Sequence, residues 1–197
     1  MAIIQITTYR IEDKYSDKRH PLHTDYSTSP MDLGMTFFFC QQPAQFGGAT
    51  LFVDPEVLIA ALKEYDPELL EQLCNTEVEL SRQGLKESKR VARIIDISGA
   101  EAILNWNYFR AAQIKDETVK EMVEKFHGFL EDKIVMGGLT TAVKLKVREG
   151  VFFHDSNVLH GRYSFIGDRC LKKGTIVLKD VDLVLAALEQ NTLTDRS

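Results

Sequence analysis

Strand-like segments stand at both ends of this chain, and the helical ones lie only between them. Ile3 to Thr8 alternates β-branched and polar residues, as a half-buried strand does. Gly34 to Gln41 (GMTFFFCQ) is a near-continuous apolar run, which predicts a central strand buried on both faces. Gly47-Gly48 is a turn, and Ala49 to Val53 the strand after it. Shorter strand patterns follow at Val78–Leu80, Val91–Ile97, Ala102–Leu104, Ala142–Val147, Val151–Phe153, Arg162–Phe165 and Leu171–Leu178. This order has none of the strand–helix alternation that builds a parallel sheet.

Helix signals fall in the middle. Asp54-Pro55-Glu56 supplies an N-cap, a proline at the first helical position and an acidic first turn, predicting a helix to about Tyr65. Asp66-Pro67-Glu68 repeats that signal and predicts a second helix to about Cys74. Val119, Met122, Val123, Phe126, Phe129, Leu130 and Ile134 share one helical face, so the longest helix should cover residues 116–135 and end at Gly137-Gly138. No repeat or low-complexity linker interrupts the chain, so one domain over residues 1–197 is expected. The fold class is mainly β with inserted helices. Many short antiparallel strands suggest a double-stranded β-helix, the cupin-like jelly roll.

Composition narrows the function classes. A hydrophobic fraction of 44% and a charged fraction of 27% suit an ordinary globular protein. A net charge of −5 gives no basic face for nucleic acid. No stretch reaches the ~20 apolar residues of a membrane helix, and no leader pattern opens the chain. Cys40, Cys74 and Cys170 are scattered, with no CxxC pair. A reduced, cytoplasmic setting follows from that usage.

His23-Thr24-Asp25 lies just before the first long apolar run. In an extended segment, residues i and i+2 point to one side, so His23 and Asp25 can reach a single ion. His160, in the strand-like segment Asn157-Val158-Leu159-His160-Gly161-Arg162, supplies the third donor. Two histidines and one carboxylate form the facial triad of non-haem Fe(II) oxygenases, which leaves three coordination positions open. Arg169 follows His160 on the next strand, and Thr50 follows the Gly47-Gly48 turn. A guanidinium and a hydroxyl there can clamp a carboxylate, the arrangement a 2-oxo acid would occupy. Arg162 should share the strand face of His160, within reach of that 2-oxo acid or of a carboxylate such as Asp155.

The blocks HTD, GGATLFVD, NVLHGRYSF and GDRCL, in this order, resemble the taurine/2-oxoglutarate dioxygenase superfamily from about Pro21 to Leu178. The HGRYSF block with its following R-x-L is particularly similar to γ-butyrobetaine hydroxylase-like members. The resemblance implies that His23, Asp25 and His160 hold Fe(II). It implies that Thr50 and Arg169 hold the distal carboxylate of 2-oxoglutarate, with O2 as the other cosubstrate. It places Asn105 or Asn107, in Leu104-Asn105-Trp106-Asn107-Tyr108, along the substrate pocket. Tyr26 follows the HxD on a loop, where it either covers the iron and meets substrate or serves simple loop packing. Asp25 argues for hydroxylation, desaturation or another oxidation over halogenation, because related halogenases lack that carboxylate. Two features depart from the family pattern. The HxD begins at residue 23, so part of the substrate cover would be missing or supplied by a second copy or partner subunit. The distal histidine follows His154-Asp155-Ser156-Asn157, where relatives often show Asp-Asn.

The implied substrate is a small polar metabolite such as an amino acid or betaine. Two competing readings are a metal-binding pseudo-enzyme or oxygenase subunit, and a zinc hydrolase with the same ligands.

Overall fold

Two four-stranded antiparallel sheets carry the molecule, and helices cover one of them. The computed structural model describes residues 3–7, 17–25, 27, 35–81, 89–111 and 114–177. In chain order, β1 (Ile3–Thr7), β2 (His20–His23), β3 (Met35–Gln42), β4 (Phe46–Gly47) and β5 (Thr50–Val53) precede the first helices. Next come α1 (Pro55–Tyr65), α2 (Pro67–Asn75), β6 (Glu77–Ser81), β7 (Lys89–Arg93), β8 (Ile95–Asp96) and β9 (Ile103–Leu104). The short α3 (Tyr108–Ala111) and the long α4 (Glu117–Phe129) follow, and α4 runs into a π-helical segment, Leu130–Val135. β10 (Thr141–Val143), β11 (Gly150–His154), β12 (Leu159–Arg162), β13 (Phe165–Ile166) and β14 (Cys170–Val177) complete the described chain.

The first sheet has the order β1-β14-β3-β11 and the second β10-β5-β12-β2. The second sheet has two distinct faces because side chains alternate along each strand. Leu22, Leu51, Val53 and Leu159 point one way and join the helices in the main core, with Leu58, Leu62, Leu69, Trp106 and Phe126. Thr50, Phe52, His160 and His23 occupy the alternate positions. His160 pairs in register with both His23 and Phe52. That second face meets the first sheet: the Phe52 ring lies 5.1 Å from Phe153, and His160 lies 4.9 Å from Phe153 and 5.7 Å from Phe38. Apolar burial behind the sheet thus fixes the strand that presents the histidines.

The helix caps form as their sequences predict. The Asp54 carboxylate accepts from Glu56 N–H, and Asp66 accepts from Leu69 N–H while its own N–H donates to Leu62. Several expected elements differ. β3 is central in its sheet, but only Thr36 and Cys40 are buried; Phe39 on the other face is 38% exposed. An antiparallel sheet can leave one face uncovered even where the strand is apolar throughout. The helix over residues 116–135 changes type at Leu130. Met136 N–H reaches Glu131 and Leu139 N–H reaches Ile134, each five residues back. The strand expected at Ala142–Val147 is only Thr141–Val143. The one expected at Arg162–Phe165 is split between β12 and β13, and that at Val91–Ile97 between β7 and β8. Among the described residues, no helix is long and apolar enough to cross a membrane.

Candidate metal and anion site

The histidines meet because two strands are hydrogen-bonded partners. His23 ends β2 and His160 stands opposite it on β12, with their ring centroids 4.4 Å apart. Gly161 lets the strands approach. A Cβ there would lie 2.8 Å from His20 O and 3.2 Å from Leu22 N. Asp25 lies in the turn just beyond β2, so the HxD is an end of strand plus a turn residue. Its Oδ2 is 3.3 Å from His160 Nε2 and its Oδ1 is 3.7 Å from His23 Nε2. One donor atom from each of the three residues lies within 4.8 Å of the others.

The surroundings prepare these atoms for a cation. His23 Nδ1–H donates to Pro21 O at 2.8 Å, which leaves Nε2 with its lone pair toward Asp25. Burial, and then the neighbouring His160 ring, lower the His23 pKa and favour the neutral imidazole. Burial works to raise the Asp25 pKa, but His160, His23 and Lys173 outweigh it and hold the carboxyl well below its usual value. His160 Nδ1 is buried without a hydrogen bond and faces Asp155 Oδ1 at 3.5 Å. Two imidazole nitrogens and one carboxylate, gathered this closely, fit a divalent transition metal.

Asp25 itself is gripped at each polar group. Its N–H donates to Asp155 Oδ1 at 3.1 Å. Its carbonyl accepts from Arg110 Nη1 at 2.7 Å, and the same nitrogen donates to Ser27 Oγ at 3.0 Å. Its Oδ2 accepts from the Lys173 ammonium. These supporting roles of Asp155, Arg110 and Lys173 are absent from the sequence reading. Asp155 was legible as a neighbour of the distal histidine and as a carboxylate within reach of Arg162, not as a support for Asp25. Arg110 sits on a helix too short for periodicity to mark. Lys173 is one of two adjacent lysines, with no local pattern to mark it.

A second group lies beside the first. Thr50, buried on β5, is two residues from Phe52, which pairs with His160. Arg169 Nη2 donates to Thr50 Oγ1 at 3.5 Å, and both line a pocket with Cys40, Lys144 and Leu171. Among the described residues, that is the only hydrogen bond of the Arg169 guanidinium. Burial, and then the nearby charge of Arg162, pull its pKa down to about 10. Gly48, at φ +72°, makes room for it: a Cβ there would lie 3.3 Å from Arg169 Cδ. Arg162 Nη2 donates to Lys18 O at 2.7 Å, and its guanidinium lies 4.9 Å over the Phe165 ring.

The remaining sequence candidates are placed as follows. Thr24 ties the HxD to the segment after β9, its N–H donating to Trp106 O at 2.7 Å. Asn105 and Asn107, both buried, therefore flank the HxD. Asn105 Nδ2 donates to Arg93 O at 2.9 Å, and Asn107 O accepts from Arg110 and Ala111 N–H. Trp106 is core, edge-on to Phe126 at 4.7 Å. Tyr26 lies outside the described residues. His154 meets Ser156 Oγ at 3.0 Å, and His127 stacks on Tyr108 at 3.9 Å.

The model of the taurine catabolism dioxygenase TauD, TfdA family matches residues 5–175. γ-Butyrobetaine dioxygenase of Homo sapiens is 25% identical over 174 residues, which covers 80% of this chain and 45% of the relative. The chain thus spans about half the length of that curated relative. Two solved structures share the fold. PvcB, an Fe, α-ketoglutarate-dependent oxygenase from an isonitrile synthetic pathway, aligns with a TM-score of 0.55 at 16% identity, covering 89% of this chain and 63% of its own. An asparagine oxygenase in complex with Fe(II), 3-hydroxyasparagine and succinate aligns with a TM-score of 0.64 at 9% identity, covering 88% and 56%.

Proposed function

The chain belongs to the taurine catabolism dioxygenase TauD, TfdA family, and from that premise we propose that it is an Fe(II)- and 2-oxoglutarate-dependent dioxygenase. It hydroxylates a C–H bond of a small polar metabolite, such as an amino acid or betaine. His23, Asp25 and His160 hold the iron, and Arg169 with Thr50 holds the distal carboxylate of 2-oxoglutarate. The observation that carries this reading is the half-buried Arg169 guanidinium, whose one hydrogen bond among the described residues is to Thr50, in a pocket next to the histidine–carboxylate cluster. A guanidinium so placed is a carboxylate receptor. A hydrolytic zinc site has no use for one.

Iron with 2-oxoglutarate and O2 supplies the oxidising power for an unactivated C–H bond, with succinate and CO2 as coproducts. The protein's own contribution is positional. Pro21 and Asp155 orient the rings, Arg162 adds positive charge beside Arg169, and Phe38, Phe52 and Phe153 wall off water on one side. Asn107 is the stronger substrate-pocket candidate, because the Asn105 amide already serves Arg93. Tyr26, next to the HxD in sequence, is a further candidate for substrate binding. The β architecture is that of a double-stranded β-helix forming one domain, and the three free cysteines suit a reducing cytoplasm.

The test is succinate release from labelled 2-oxoglutarate with Fe(II) and ascorbate. The wild type should form succinate under air and none under nitrogen, and Asp25→Ala should form none. Undiminished turnover by Asp25→Ala would remove Asp25 from the site.

A further inference from the structure

Lys173 stands where a lysine is not expected. It lies on β14 opposite Phe38 of β3, on the strand face shared by Leu171 and Thr175, which turns toward the second sheet. Its side chain is 23% exposed and that of Asp25 is 21%, so this is a largely sheltered ion pair. Sheltered pairs hold their geometry, whereas exposed ones contribute little. The ammonium engages Asp25 Oδ2, the oxygen nearest His160 Nε2, while Oδ1 faces His23 Nε2.

A carboxylate can bind a metal through one oxygen or both. With two histidines and one carboxylate oxygen, three positions stay open; a second carboxylate oxygen would take one of them. 2-Oxoglutarate needs two positions and O2 the third. We propose that Lys173 is a positioning residue for Asp25: its ammonium occupies Oδ2 as an acceptor, leaves one oxygen for the metal, and so keeps open the positions the cosubstrates need. This rests on the reading of His23, Asp25 and His160 as the metal site. The backbone contacts from Asp155 and Arg110 fix where Asp25 sits; Lys173 fixes how its carboxylate is used.

The experiment uses Mn(II) as the metal and the full chain. Calorimetry measures Mn(II) affinity and then 2-oxoglutarate affinity of the Mn(II) form, for wild type, His160→Ala, Lys173→Met and Lys173→Arg. Methionine keeps an unbranched apolar stem and removes the charge. Lys173→Met should bind Mn(II) no more weakly than wild type yet bind 2-oxoglutarate at least about tenfold more weakly, within the range outer-shell changes produce. The absorption spectrum of its Co(II) form should also change, and Lys173→Arg should restore most of the 2-oxoglutarate affinity. Unchanged 2-oxoglutarate affinity and Co(II) spectrum in Lys173→Met would overturn the proposal, as would parallel loss of metal binding and thermal stability, which marks a merely structural lysine. Equal Mn(II) binding by wild type and His160→Ala would instead overturn the metal-site reading beneath it.

Discussion

Replacing Asp155 by Ala removes a carboxylate that touches two of the three candidate ligands without binding the metal. Asp155 is buried, accepts from Asp25 N–H at 3.1 Å and faces His160 Nδ1 at 3.5 Å. A hydrogen bond to a charged group contributes about 1.5–3 kcal/mol, and part of that cost should appear as lower stability of the metal-free protein. The rest appears in metal affinity, because His160 and Asp25 are then free to turn. Changes to such outer partners cost about 10–100-fold in affinity, roughly 1.4–2.7 kcal/mol. Metal titration by calorimetry, with a melting curve for each variant, measures both parts. Asp155→Asn retains an oxygen acceptor for Asp25 N–H but loses the charge near His160, so its metal affinity should fall between wild type and Ala. Wild-type metal affinity in Asp155→Ala, with an unchanged melting temperature, would refute the reasoning.

Other outcomes follow from the same geometry. Arg169→Gln should raise the KM for 2-oxoglutarate by about 10–150-fold, the equivalent of one charge-assisted hydrogen bond, and leave metal affinity unchanged; steady-state kinetics with metal titration separates the two. Gly161→Ala should push β2 from β12 and weaken metal binding, because its Cβ would lie 2.8 Å from His20 O; calorimetry reads the loss. Asp66→Ala removes the N-cap of α2 and the contact with Lys125, so it should cost about 1–2 kcal/mol in denaturant unfolding. The hydrogen bond from Lys125, ahead of the opposing effect of burial, lowers the Asp66 pKa in the folded state. Its stabilisation is therefore present above the ordinary aspartate value and is lost as pH falls through the lower folded-state value, so wild type and variant should converge in strongly acidic solution.

What could be read before the fold was known divides along a physical line. The caps at Asp54-Pro55 and Asp66-Pro67 were legible because capping is local chemistry. His23, Asp25, His160, Thr50 and Arg169 were legible as chemically suited residues, although only the pairing of β2 with β12 shows why distant residues meet. The two-face burial expected of β3 failed because an apolar strand carries no mark of what covers it. The π-helical turn at Leu130–Val135 left no trace because Leu130, Ile134 and Val135 are apolar and buried, in keeping with a continued helical stripe. Arg110 and Lys173 act through tertiary contacts to Asp25 from far along the chain, and no local pattern encodes such contacts.

The most direct measurement is the anomalous diffraction of crystals grown with Mn(II) and 2-oxoglutarate under nitrogen. One peak should lie between His23 Nε2, His160 Nε2 and the Asp25 carboxylate, with the far carboxylate of 2-oxoglutarate on Arg169 and Thr50. A manganese peak elsewhere, or 2-oxoglutarate bound away from Arg169, would contradict the account.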